Sequence, residues 1–242
     1  MSRLFHPASG SRTILGVWAH PDDEAYLSAA FMAAAVRAGH RVVVATATRG
    51  EGGTPDPDLL PPEVLGPLRE LELAASLDTL GVTEHHWLAD DLRDGTLADV
   101  PVARGRGLVS DLLEAVDPDL VVTFGPDGLT GHPDHRAVSR WVTEAWFARG
   151  RHGDLWHAAL TEQFLDQWGE LCDDLGVWMA PDAPRAVPSS AVVHLQRCDD
   201  ALAARKLAAL RAHASQTTSL ISQVGEATFA RWWSQEAFAP AR

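Results

Sequence analysis

The first 150 residues of the chain repeat one pattern, in which a short apolar run is followed by a longer helix-like stretch. The apolar runs span residues 13–19, 41–48, 84–88 and 119–124, and the helix-like stretches span 22–38, 67–80, 101–116 and 135–149. Runs of this length and composition are typical of buried parallel strands. Their alternation with helices predicts βαβ units. We therefore expect an α/β fold, with a Rossmann-like, mainly parallel sheet flanked by helices.

The pattern becomes weaker after residue 149. Strands are predicted at 155–160 and 191–196, and helices at 161–175 and 199–213, which together would form a smaller C-terminal αβ extension. The proline-rich residues 180–190 are interpreted as a loop rather than as a linker between domains. With 46% hydrophobic residues, the chain can bury one large core, so a single domain over residues 1–242 is expected.

Composition excludes several classes of partner. The formal net charge of −13 argues against nucleic acid, which requires clustered lysine and arginine. No segment reaches the roughly 18 consecutive apolar residues that span a bilayer, and residues 1–12 lack the apolar region of a signal peptide. Two cysteines, Cys172 and Cys198, are too few for a disulfide scaffold, so a cytoplasmic location is expected. The oligomeric state stays open, and a homo-oligomer is compatible with the sequence.

Two histidine–aspartate clusters follow apolar runs. The first, residues 20–24 (HPDDE), comes directly after the first run, and the second, residues 132–135 (HPDH), comes shortly after the run that ends at Phe124. In open α/β sheets, ligands bind at the carboxyl ends of the strands, where the winding direction reverses. If the first and fourth strands are neighbours at that point, the two clusters face each other across one crevice.

The residue types in these clusters favour a catalytic metal. His20 and Asp23 are three residues apart, and His132 and His135 repeat this spacing, which places both side chains on one side of a helical turn. Imidazole nitrogen and carboxylate oxygen are suitable ligands for Zn²⁺ or Fe²⁺. Three protein ligands with one open position are typical of a catalytic site. The adjacent Asp22 can accept the proton of a water molecule, and the remaining histidine can stabilise an oxyanion or protonate a leaving amine.

Each cluster alone also has a purely structural interpretation. Acidic residues such as Asp22 and Asp23 are common in the first turn of a helix, here after Pro21. His132 and Asp134 could likewise cap the helix that follows them. Because both clusters occur after strands that a parallel sheet would align, the metal site is the preferred hypothesis.

The two clusters also carry a family resemblance. Residues 19–24 (AHPDDE) and 131–135 (GHPDH) resemble the signature motifs of the PIG-L/LmbE-like deacetylases. Supporting similarity lies in residues 48–53 (TRGEGG), in 69–72 (RELE), and from Lys206 to Gln216. The resemblance implies a zinc-dependent amidohydrolase that removes an N-acyl group, chiefly acetyl, from an N-acetylglucosamine-type conjugate.

The resemblance further implies a role for each residue of the two motifs. His20, Asp23 and His135 would hold the metal, which is expected to be zinc, with Fe²⁺ as the alternative. Asp22 would be the general base toward a metal-bound water. His132 would stabilise the oxyanion or act as an acid, and Asp134 would tune it.

The resemblance is less specific about the substrate. Arg69 matches a position that contacts substrate in the family. Asp94 begins a segment (DGTL) similar to a family segment near the sugar, but the preceding run from Leu88 is two residues longer than expected. Asp90, Asp91 and Asp94 therefore stay as alternatives. The roles of His213 and of the pair Trp232–Trp233 also stay open.

Other functions are compatible with the same residues. The site could serve an amidase of a thiol conjugate or another metal-dependent hydrolase, although two-metal phosphoesterases usually need more ligands. A non-catalytic binding module of the same fold would be expected to lose the base, whereas Asp22 is present. A dinucleotide-binding enzyme is disfavoured because no G-x-G-x-x-G follows the first strand.

Overall fold

A computed structural model of the protein describes residues 10–54 and 56–241. Most of the N-terminal segment predicted to lack a signal peptide therefore lies outside the described residues. These residues form seven strands, β1 (Thr13–Trp18), β2 (Arg41–Thr46), β3 (Glu84–Trp87), β4 (Leu120–Phe124), β5 (Asp154–Ala159), β6 (His194–Arg197) and β7 (Gln235–Pro240). They form one sheet in the order β3-β2-β1-β4-β5-β7-β6. Strands β1 to β5 are parallel, and β7 pairs antiparallel with β5 and β6. The predicted α/β fold with a mainly parallel sheet is confirmed.

Helices connect most of these strands. They are α1 (Asp23–Arg37), α2 (Pro62–Leu80), α3 (Val102–Val116), α4 (Gly128–Gly131), α5 (Pro133–Ala148), α6 (Glu162–Asp174), α7 (Asp200–Ala212), α8 (Ala214–Val224) and α9 (Glu226–Trp232). The predicted start of α2 at residue 67 is wrong, since the helix begins at Pro62 and contains Pro67. Proline is well suited to the first position of a helix, where its missing N–H leaves no bond unmade.

Strand β1 lies at the point where the winding direction of the sheet reverses. It pairs with β2 on one side, and on the other side with β4, where Ile14 aligns with Leu120 and Gly16 with Val122. The first and fourth strands are therefore parallel neighbours, as the crevice hypothesis requires. Both histidine–aspartate clusters follow the carboxyl ends of these two strands, where ligands bind in such sheets.

The C-terminal part extends the sheet beyond β5. Strand β7 was not predicted, because its sequence QEAFAP contains no β-branched residue. Its pairing with two other strands determines its conformation. The predicted strand at 191–196 is displaced to His194–Arg197, and helices α8 and α9 were not predicted as separate elements.

A buried ion pair joins this C-terminal part to α1. Lys206 Nζ lies 2.6 Å from Glu236 Oε1 and donates to the carbonyl of Tyr26 at 2.6 Å. The Glu236 carboxylate also accepts the backbone N–H groups of Ala30 and Phe31, both at 2.8 Å. The two charged side chains are 3% and 0% exposed. The pair therefore holds α7 and β7 against the helix that begins at the first histidine–aspartate cluster.

The core lies between the sheet and its helices. The central strands are almost entirely buried, as Leu15, Val43 and Val121 illustrate. In the part of the chain that the structure describes, no helix is both long and apolar enough to cross a membrane. The single domain over residues 1–242 stays a prediction.

Candidate metal centre

The first cluster is built by the tight turn between β1 and α1. Asp22 adopts φ 109° and ψ −29°, a conformation that non-glycine residues rarely adopt. The backbone N–H groups of Ala19 and His20 donate to Asp23 Oδ2 at 3.2 and 2.8 Å. These bonds fix the Asp23 carboxylate and leave its Oδ1 atom for another partner.

The second cluster follows β4 across the short helix α4. His135, in the first turn of α5, stacks on Phe124 with ring centroids 4.1 Å apart. Its Nδ1 atom lies 3.0 Å from the carbonyl oxygen of Gly128, which assigns the proton to Nδ1 and leaves Nε2 as a free ligand atom. That Nε2 atom lies 3.2 Å from Asp23 Oδ1. The fold thus brings the two clusters into contact.

The three predicted metal ligands fit one ion. His20, Asp23 and His135 each offer one ligand atom, and these atoms lie within 4.8 Å of one another. In a tetrahedral site with bonds of about 2.1 Å, ligand atoms are separated by roughly 3.4 Å. The His135–Asp23 distance of 3.2 Å is close to that value. The donor set therefore suits a divalent cation.

A second group of possible ligands, His20, His132 and Asp134, fits an ion less well. Asp134 is completely buried, and its carboxylate already accepts the backbone N–H groups of Gly95 and Leu97 at 2.7 and 2.9 Å. Asp134 does not line the cavity that the other histidines face. His20, Asp23 and His135 therefore stay the predicted ligands.

Asp134 instead contacts His20, one of the three candidate metal ligands. Its Oδ2 atom lies 3.3 Å from His20 Nε2, and Asp94 Oδ1 lies 3.0 Å from the same nitrogen. Burial lowers the pKa of His20, but hydrogen bonds to Asp134 and Asp94, together with the charges of Asp23 and Asp94, raise it to about 10. These carboxylates make the surroundings of His20 negative, which suits a cation site. Asp134 reaches His132 through its backbone N–H, at 3.1 Å from Nδ1, so its tuning of His132 stays a prediction.

Asp22 lines the same cavity as the three candidate ligands. Its carboxylate is 17% exposed and 3.1 Å from Arg69 Nη2. Burial raises the pKa of Asp22 to about 6, against the opposing effect of Arg69. A carboxylate with such a pKa can accept a proton near neutral pH and release it again. The geometry is compatible with a general base.

Glu24, a buried residue to which the sequence analysis gave no role, supports Asp22. The Asp22 backbone N–H donates to Glu24 Oε2 at 2.9 Å. Glu24 Oε1 accepts from Ser76 Oγ at 2.9 Å and lies 2.7 Å from His213 Nε2. His213, whose role the sequence left open, is fully buried and partners Glu24 rather than lining the cavity. The sequence did contain a signal for Glu24, since this residue is the last one of the AHPDDE motif.

Arg69 is enclosed by the glycine-rich loop after β2. Its guanidinium is 3% exposed and donates to the carbonyl groups of Gly50 and Pro21. A Cβ atom added at Gly53 would lie 2.5 Å from Arg69 Nη1. Position 53 therefore requires glycine, because any larger residue would collide with the Arg69 guanidinium.

The structure separates the three aspartates that were alternatives for substrate contact. Asp94 lines the metal cavity. Asp90 and Asp91 are 93% and 66% exposed and pair with Arg49 and Arg104. Asp94 is the one of the three placed to meet a ligand, and that contact stays a prediction.

The cavity at this centre has a volume of about 320 Å³. Its polar wall contains His20, Asp22, Asp23, Arg69, Asp94, Thr130, His132, His135 and Gln216. Apart from the pair Trp232–Trp233, whose role the sequence left open between packing and lining a pocket, its apolar wall was missed by sequence reasoning, because its members come from distant segments. They are Tyr26, Leu27, Leu129, Val177, Met179, Leu220, Trp232 and Trp233.

Known proteins share this arrangement of sequence and fold. A deacetylase of 1D-myo-inositol 2-acetamido-2-deoxy-alpha-D-glucopyranoside from Kineococcus radiotolerans is 32% identical, over 90% of this chain and 71% of the relative. The N,N'-diacetylchitobiose deacetylase from Pyrococcus horikoshii has a similar fold, with a TM-score of 0.64 at 21% identity, covering 97% of this chain and 85% of that one. A teicoplanin deacetylase, solved in a zinc-inhibited form, matches with a TM-score of 0.65 at 18% identity, covering 94% and 97% of the two chains.

The family match includes both histidine–aspartate clusters. A sequence model of the PIG-L family, described as GlcNAc-PI de-N-acetylase, matches residues 15–146. This range begins within β1 and ends within α5, and it covers more than half of the chain. The protein belongs to the PIG-L family.

Proposed function

We propose that the protein is a zinc-dependent N-deacetylase that hydrolyses the linear amide of an N-acetylglucosamine-type conjugate. The observation that carries the proposal is the meeting of His20, Asp23 and His135 at one end of a cavity, with Asp22 beside them. The activities named for the relatives support the reaction, and the amino sugar in those names supports the substrate class. The roles below are part of the proposal.

The chain's own residues divide the work of amide hydrolysis. When bound, zinc would supply a Lewis acid that polarises the carbonyl and lowers the pKa of a water molecule. His20, Asp23 and His135 would hold the ion. Asp22 would accept the proton of the attacking water, because its carboxylate lines the same cavity and its pKa is raised to about 6. His132, which lines the same cavity, would stabilise the developing oxyanion or protonate the leaving amine.

Arg69 and Asp94 would orient the sugar. Both side chains line the cavity on its polar wall. The Asp94 carboxylate is held by the backbone N–H of Gly52 at 3.0 Å, so it is positioned before a ligand arrives. A carboxylate and a guanidinium can together bind neighbouring hydroxyl groups of a sugar ring.

Metal content and amine release test the proposal together. Protein purified without added metal should contain about one divalent ion per chain, and elemental analysis distinguishes zinc from iron. The metal-loaded protein should release free amine from members of a panel of N-acetylglucosaminides. Absence of metal, with no activity gained on adding Zn²⁺ or Fe²⁺, would refute the proposal.

Two adjacent variants separate the ligand from the base. Asp23→Ala should lose the ion, because a ligand oxygen is removed. Asp22→Asn should keep the ion but lose about a hundred- to ten-thousandfold in rate, because an amide cannot accept the proton. The exposed Asp91 supplies the matched control, and Asp91→Asn should change neither metal content nor rate. Full activity of Asp22→Asn would show that another group is the base.

A further inference from the structure

The inner and outer parts of the metal cavity differ in chemistry. At the inner end, His20, Asp23 and Arg69 are all at most 7% exposed. Farther out, Met179 is 61% exposed, and Val177 and Leu220 are partly exposed while lining the same cavity. We call these last three residues the apolar mouth. The charged groups are thus confined to the inner end.

The apolar mouth is held in place. The backbone N–H of Met179 donates to the carbonyl of Thr130 at 2.7 Å, directly before the second histidine–aspartate cluster. Among the described residues, six large hydrophobic side chains are exposed, and Met179 is the one of them that lines this cavity. Because Met179 lines the same cavity as Val177 and Leu220, its side chain belongs to an apolar patch beside the metal centre, and such patches mark contact sites.

The apolar mouth continues into an apolar wall. Leu27, Leu129 and Trp233 line the same cavity and are less exposed than Met179. The ring of Trp233 packs against Tyr26, with centroids 4.7 Å apart, and this contact stiffens the wall. The mouth and Trp233 all lie after residue 146, whereas the family match covers residues 15–146. The matched residues therefore carry the metal ligands, and other residues shape the mouth.

We infer that the group linked to the amino sugar is apolar, an alkyl or aryl aglycone rather than a polyol. The inference rests on the proposed function. A polyol such as inositol would give up hydrogen bonds to water at Val177, Met179 and Leu220 without gaining others. An alkyl or aryl group would instead bury its own apolar surface and that of the mouth. The substrate class would thus differ from the inositol glycoside named for the Kineococcus relative.

Binding of the amine products tests the inference without turnover. Hexyl glucosaminide and glucosaminyl-inositol, neither of which carries an acetyl group, would be titrated into the zinc-loaded protein by calorimetry. The hexyl compound should bind at least about tenfold more tightly, because burial of two methylene groups already gives such a factor. Equal binding, or tighter binding of the inositol compound, would overturn the inference.

Variants of the mouth locate the effect. Met179→Gln keeps the side-chain length but removes its apolar character, and it should weaken hexyl glucosaminide binding by about three- to tenfold while leaving the inositol compound unaffected. Leu71, which is 72% exposed on α2 away from the cavity, supplies the matched control Leu71→Gln. Melting temperatures of both variants verify folding. An equal effect of both variants, or none from Met179→Gln, would contradict the inference.

The acetylated forms of the same compounds distinguish this inference from the proposed function. If the hexyl glucosaminide binds selectively but neither acetylated compound releases amine, the proposed reaction is wrong and the apolar mouth stands. If both are deacetylated without preference in binding, the reaction stands and the apolar aglycone is wrong. A further comparison replaces the N-acetyl group of these compounds by N-octanoyl. If the longer acyl chain increases affinity while the aglycone has no effect, the apolar wall binds the acyl chain and the inference is overturned.

Discussion

Replacement of Lys206 by methionine should be among the most destabilising single changes in the protein. Lys206 Nζ and the Glu236 carboxylate are 2.6 Å apart and almost completely buried. Lys206→Met fills nearly the same volume but leaves the Glu236 charge without its cation. Breaking a buried pair by removing one partner typically costs about 3–5 kcal/mol. The lower part of that range is expected, because the backbone N–H groups of Ala30 and Phe31 still donate to the carboxylate.

This loss is large enough to measure by thermal and urea unfolding. For a chain of this size, about 3 kcal/mol lowers the melting temperature by roughly 6–12 °C. The double variant Lys206→Met with Glu236→Gln should recover about 1–2 kcal/mol of it, because the unpaired charge is gone. The exposed pair Arg211–Glu226, with side chains 58% and 52% exposed, is the matched control, and Arg211→Met should cost less than about 1 kcal/mol. If Lys206→Met cost no more than Arg211→Met, the reasoning about the buried pair would be refuted.

Two other changes test the loop around Arg69 and the acid sensitivity of the fold. Gly53→Ala should lower kcat/KM by about ten- to a hundredfold, because the added Cβ atom would displace the Arg69 guanidinium and weaken its charged hydrogen bonds. Gly169→Ala is the control, since a Cβ atom added there meets nothing within 4 Å. Burial lowers the pKa of His157 to about 4, so between pH 6.5 and 4 the unfolded chain binds a proton that the folded chain does not. The free energy of unfolding should therefore decrease as the pH is lowered from 6.5 to 4. His157→Gln should reduce the slope by about 1.4 kcal/mol per pH unit, and an unchanged slope in urea unfolding would contradict this.

The sequence predicted those parts of the fold that are encoded locally. Strands β1, β2 and β4 are continuous apolar runs, and their alternation with helices determines a parallel sheet with few possible orders. Strand β7 has no such signal, because residues such as Glu236 and Phe238 are held there by contacts with β5, β6 and α1. The start of α2 was placed late because Pro67 was taken as the beginning of the helix rather than as an interior residue.

The site was predictable to a similar degree. His20, Asp23 and His135 lie in short motifs after strands, so their meeting followed from the topology of the sheet. The apolar mouth could not be predicted, because Val177, Met179 and Leu220 come from a loop and a helix whose packing depends on the whole C-terminal part. The contact between Glu24 and His213 could not be predicted either, because it also depends on how the C-terminal part packs.

The unusual backbone at Asp22 sets a limit on how stable this turn can become. A non-glycine residue at φ 109° carries strain of about 1–3 kcal/mol, and glycine would relieve it at that position. Glycine would also remove the carboxylate that we propose as the base. Selection for thermal stability and selection for turnover would therefore act in opposite directions on a single codon. Screens that enrich heat-resistant variants of this protein should therefore measure activity as well, since a stabilising change at position 22 would remove the proposed base.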